Sequence, residues 1–103
     1  MNIQEVNRNS GVQGISIMRG KSVLANPFPI GKQHGNRAQV VEKYRRWLWA
    51  SLQGDVGTPV NLELKRLLDL ARKGPLVLVC CCKPLPCHGD VLQRCLEWLN
   101  GLK

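Results

Sequence analysis

GPLVLVCCCKPLPCHGDVL, residues 74–92, decides how this chain folds. Its apolar run Leu76–Val79 has valines and no polar alternation, as a strand covered on both faces does, so a central strand is expected over about 76–81. Gly74 and Pro75 stand before it as a helix stop, with Gly74 free to turn left-handed. Behind it, Val91, Leu92, Cys95, Leu96 and Leu99 recur at three and four, which predicts a helix over 88–100. Strand then helix is the unit of α/β proteins.

Working outward, NLELKRLLDLARK places Leu64, Leu67, Leu68 and Ala71 on one stripe, giving a helix over 61–73 with Asn61 as its cap and Arg72 and Lys73 at its negative end. From Arg37, the residues Val40, Val41, Tyr44, Trp47, Leu48 and Leu52 mark a further helix over 37–52, capped by Asn36. Ile15 and Ile17 in GISIM alternate as in a short strand, and residues 3–6 form another extended piece. The expected fold is therefore α/β, a small sheet around one buried strand with helices on both faces. Its 103 residues suit a single domain over 1–103.

Between the GISIM strand and Asn36, residues 19–36 hold Gly20, Asn26, Pro27, Pro29, Gly31 and Gly35 with little apolar periodicity. A connection of that length in so small a domain is usually functional. Phe28 and Ile30 are its candidate anchors.

Composition narrows the partners. Fifteen Lys and Arg against seven Asp and Glu give a net charge of +8, and residues 1–50 carry eight of the basic residues and only two acidic ones. Such a field favours phosphate-bearing partners. No apolar run approaches the roughly 18 residues of a membrane span, so no membrane partner is expected. Five cysteines is an odd number, crowded between Cys80 and Cys95, and no charged and apolar leader opens the sequence. Free thiols in a cytoplasm fit this pattern, the host's if the gene is viral.

Three chemistries compete at the end of the central strand. Cys80, Cys82, Cys87 and His88 could hold zinc, although Cys-x-Cys-x4-Cys-His is not a common finger or ribbon spacing. Alternatively Cys87 lies at a positive helix terminus with His88 adjacent and Lys83 nearby, all of which favour a thiolate or a bound anion. A cysteine-phosphatase cradle around Cys82 fits less well, because Pro84 and Pro86 delete two loop amides and no arginine closes the loop. Third, the cysteines are small apolar residues and Asp90 stabilises a helix start. For Cys81 and Cys95 this structural reading is preferred.

The three segments NPFPIG (26–31), YRRWLW (44–49) and CCCKPLPCHGDVL (80–92) together resemble domain of unknown function family 4326, a group of small bacterial and phage proteins. The similarity covers about residues 12–99. The family's motifs fall on Asn26, Pro27 and Phe28, on Tyr44 and Trp47, and on Cys80, Cys82, Lys83, Pro84, Cys87, His88, Gly89 and Asp90. Ala25 stands where the family usually has glycine. The resemblance implies kinship and carries no activity.

The leading expectation is a phosphate-bearing small ligand, a nucleotide or a derivative, held between the 26–31 loop and the Cys87–Asp90 helix start. Arg19, Lys21 and Lys83 would supply charge, Asn26, Phe28, Cys82 and Gly89 would line the site, and Cys87, His88 and Asp90 would carry any chemistry. The alternative is a non-catalytic basic module, with Arg37, Lys43, Arg45 and Arg46 on nucleic acid or a host protein and Trp49 available to stack on a base.

Overall fold

The computed structural model describes residues 2–18, 21–28, 30–80 and 88–101. Its elements in chain order are β1 (Ile3–Asn7), β2 (Ile15–Ser16), α1 (Arg37–Leu52), α2 (Pro59–Lys73), β3 (Leu76–Cys80) and α3 (His88–Gly101). The sheet has the order β1-β3-β2, with Ile3 through Asn7 paired in parallel to Leu76 through Cys80, and Ile15 and Ser16 to Leu78 and Val79. The chain is an α/β protein with β3 at the centre, as the apolar run requires. Cys81, expected as the end of that strand, lies outside the described residues.

Among the described residues the helices pack on one face of the sheet, not on both as expected. Leu76, Leu78 and Cys80 alternate along β3 into one buried cluster that also takes Tyr44 and Leu48 of α1, Leu64, Leu67 and Ala71 of α2, and Leu92, Cys95 and Leu96 of α3. Val77 and Val79, on the opposite face, are only half-buried. That face is crossed by the connection from β1 to β2. A Cβ at Gly14 would stand 2.5 Å from the Val77 carbonyl oxygen and 2.7 Å from its Cγ1, so only glycine allows so close a crossing. The unbroken apolar run reflects this backbone cover on one face and helices on the other.

Local chemistry sets the helix ends. Asn36 caps α1 in a full capping box: its side chain accepts from the Gln39 amide at 2.9 Å, while Gln39 Oε1 accepts from the Asn36 amide at 2.9 Å. The helix α2 begins two residues earlier than the apolar stripe predicts and is capped by Thr58, not Asn61, because Pro59 suits the first helical position. Asn61 instead donates from Nδ2 to the carbonyls of Ser51 and Asp55, fastening α2 to the end of α1. Gly74 is extended, at φ 176°, and leads directly into β3 without a left-handed turn.

Residues 21–28 and 30–36 are built from short turns. Leu24, not Phe28 or Ile30, anchors them: it is fully buried, and its carbonyl accepts a 2.7 Å hydrogen bond from the Tyr44 hydroxyl. Ile30 is 54% exposed, and Phe28 lies edge-on to His34 at 5.4 Å. Gly31 and Gly35 pair across a tight turn at positive φ.

Candidate functional site

Parallel pairing delivers the C-terminal ends of all three strands to one edge, where Asn7 stands beside Cys80 and the Ile17 amide donates to the Val79 carbonyl at 3.0 Å. In open α/β sheets this is the edge at which ligands bind. The helix α3 starts here. Its first residue, His88, is buried; its Nε2 lies 2.7 Å from the Ile17 carbonyl, which can only accept, so Nε2 carries the proton. The same ring meets Tyr44 edge-to-face at 5.1 Å. His88 thereby fastens α3 to α1 and to the end of β2, and its Nε2 bond fixes the orientation of the ring.

Tyr44 is the meeting point of the two predicted halves of the site. Its ring touches His88 and Trp47, and its hydroxyl holds Leu24, so the 24–28 segment and the α3 start are drawn to one side chain. Asn26 meets α1 one helical turn before Tyr44: its Nδ2 donates to the Val40 carbonyl at 3.3 Å, and its Oδ1 accepts from the Phe28 amide at 2.9 Å. The asparagine of the NPF motif thus shapes the loop and ties it to α1. Ala25 needs no glycine, since no described residue other than glycine has a positive φ.

The remaining expected residues fall as follows. Lys21 is exposed, with its amide bonded to the Met18 carbonyl near the end of β2; Gly89 is buried in the first turn of α3; Asp90 is half-buried and faces a cleft against α1. Cys80 is fully buried in the apolar cluster. Arg19, Cys82, Lys83 and Cys87 lie outside the described residues. Among the described residues no three of His, Cys, Asp and Glu are grouped to hold a metal. Cys95 packs in the core as expected, and burial pushes its thiol up to about 11.

Two clefts flank α1. One, of about 610 Å³, is lined by Lys32, His34, Gln39, Lys43 and Arg46. The other, of about 550 Å³, separates α1 from α3 between Arg37, Val41 and Arg45 on one side and Asp90, Val91 and Arg94 on the other. Glu42 organises both rims. Arg45 grips its two carboxylate oxygens at 2.7 and 2.6 Å, and Arg46 Nε adds a third contact at 2.9 Å. These guanidiniums, Arg45 first, hold the Glu42 carboxyl at about 2. Arg94 and Trp98 of α3 escape a reading centred on the basic first half, although Arg45-x3-Trp49 and Arg94-x3-Trp98 repeat one spacing on two helices.

A family model described as Domain of unknown function (DUF4326) matches residues 2–98. The chain belongs to this family. The match spans the NPF, YRRWLW and CHGD segments together and ends three residues before the end of α3. An uncharacterized 12.4 kDa protein from the nrdA-td intergenic region of Enterobacteria phage T4 is similar, at 29% identity over 70 residues. That similarity covers 68% of this chain and 57% of the phage protein, less than two thirds of the relative's length. No solved structure matches. Among the described residues no helix is long and apolar enough to cross a membrane.

Proposed function

We propose that this DUF4326 protein binds a phosphate-bearing ligand, a nucleotide or nucleotide derivative, at the C-terminal edge of its sheet between the 26–31 loop and the first turn of α3. The observation that carries the reading is the docking of the α3 start, through His88, onto the end of β2 beside the end of β3. A 14-residue helix presents its positive end there, at the edge where parallel sheets take ligands. Gly89 has no side chain to obstruct the first turn, and Lys21 adds a cation near the end of β2.

In this reading Asn26 acts indirectly. Both ends of its amide hold the loop on α1, so it sets the shape of the site, while Phe28, edge-on to His34, offers an aromatic surface to a base. Any chemistry would fall to Cys87, His88 and Asp90, with the His88 ring held in one orientation by its bond to the Ile17 carbonyl.

Thermal denaturation with AMP, ATP and inorganic phosphate tests the proposal. A ligand at a hundred times its dissociation constant stabilises the folded state by about 2.7 kcal/mol, a shift of many degrees in a domain of this size. Nucleotide should raise the midpoint, Lys21→Glu should weaken the effect, and phosphate should compete. No shift with any of the three at millimolar concentration sinks the proposal. A Cys87→Ser variant that binds unchanged confines the site to anion recognition and removes the thiol from it.

A further inference from the structure

The ridges of α1 and α3 run in the same direction along one seam. Arg37, Val41 and Arg45 face Asp90, Val91 and Arg94 across the cleft of about 550 Å³, and one turn further on Trp49 meets Trp98 edge-to-face at 4.7 Å. Trp98 stays 47% exposed, the most open aromatic ring the protein shows for its size, and Arg94 is exposed beside it. We infer that this seam binds single-stranded nucleic acid, with Arg45 and Arg94 on the phosphates and Trp98 stacked against a base.

Four features favour this occupant. Three guanidiniums line the cleft, and Glu42, one of its two carboxylates, is already gripped by Arg45 and Arg46. The fork on Glu42 uses two of the five donors of Arg45, which leaves three for another oxygen and fixes the plane in which they lie. Positions four apart on a helix are separated by roughly 6 Å along its axis, so Arg94 and Trp98 offer cation and ring in succession on the scale of one extended nucleotide. Finally, Val41 and Val91 give the cleft an apolar floor suited to the face of a base. A cation–aromatic ladder of this type grips strands through backbone charge and sequence-tolerant stacking.

An unpaired strand is indicated because stacking on Trp98 needs an open base face, which a duplex hides. The seam begins at Asp90 and leads away from the sheet edge, so Arg94 and Trp98 lie one and two turns beyond the proposed nucleotide site. The two readings can therefore fail separately.

Fluorescence anisotropy on the full chain decides the matter, using a labelled oligothymidylate of about ten nucleotides and a blunt duplex of the same length. Expected are preference for the single strand, quenching of tryptophan emission, and a slope of log affinity against log salt of about −1.4 to −2 for two to three phosphates. Trp98→Ala should weaken binding roughly tenfold with the salt slope unchanged, as loss of stacking does. Arg94→Glu, an exposed change that leaves the core intact, should weaken binding and flatten the slope. Both variants should retain any AMP-induced shift in melting midpoint. Equal or better binding of the duplex, an acidic peptide that binds as tightly as the oligonucleotide, or single-strand affinity unaltered in both folded variants overturns the inference.

Discussion

Replacing Tyr44 by Phe removes one oxygen atom from the centre of the molecule. The hydroxyl donates to the Leu24 carbonyl at 2.7 Å, and both residues are fully buried. Losing a hydrogen bond of this kind costs about 1 kcal/mol, and a carbonyl stranded away from water costs about 1–3 kcal/mol, so the variant should lose about 2 kcal/mol once partial relaxation is allowed for. For a domain of about 100 residues that corresponds to roughly 10 °C in melting midpoint. The ring contacts with His88 and Trp47 remain, so the helices should stay packed while the 24–28 segment loosens. Urea denaturation would measure the loss, and amide hydrogen exchange at Leu24 and Phe28 would locate it. Asn26→Ala loosens the same segment from α1, so the two changes together should cost less than their sum. A loss below about 0.5 kcal/mol, or strict additivity with Asn26→Ala, would show that the loop is held by something else.

Gly14→Ala should destabilise by about 1–3 kcal/mol, since the new methyl group meets the Val77 carbonyl as well as its side chain. Val77→Ala in the same chain should restore only the side-chain part, which denaturation of the double variant would reveal. Cys95, with its thiol pushed up to about 11 by burial, should label with a disulfide reagent at about pH 8 far more slowly than a free thiol; rapid labelling read by peptide mass would contradict its place in the core. Glu42 has a folded value of about 2, lowered from 4.5 by Arg45 and Arg46, so its contribution is present above pH 4.5 and is lost as pH falls through about 2. Glu42→Gln should therefore flatten the acid side of the stability profile in that window, and added salt should shrink the difference because the pairs are exposed. An identical acid limb in variant and parent argues against the pairing.

Much of the architecture follows from short-range chemistry. Leu76–Cys80 as the central strand, the Asn36 cap with Gln39 three residues on, and the stripe of α1 are all local patterns, and each forms as its residues dictate. Thr58-Pro59 was equally local: a cap residue followed by proline outranks an asparagine two places further on. Other features depend on partners far away in sequence. Leu24 outcompetes Phe28 and Ile30 as anchor because a tyrosine hydroxyl twenty residues later reaches its carbonyl. His88 stands within a motif that draws the eye to cysteine chemistry, yet its described contacts are with Ile17 and Tyr44, distant on both counts. The Trp49–Trp98 contact likewise joins two helices whose relative placement no periodicity specifies.

The strand order also governs when the chain can fold. The middle strand is the last to be made, so Ile3 finds its sheet partner only at Leu76, and Ile15 only at Leu78. Neither early strand pairs with the other, and while the first seventy residues emerge from a ribosome both present unpaired edges. Such long-range pairing is slow and leaves chains open to aggregation or proteolysis. Nascent chains arrested at increasing lengths should gain protease resistance abruptly, once β3 has cleared the exit tunnel and slid between strands synthesised long before it.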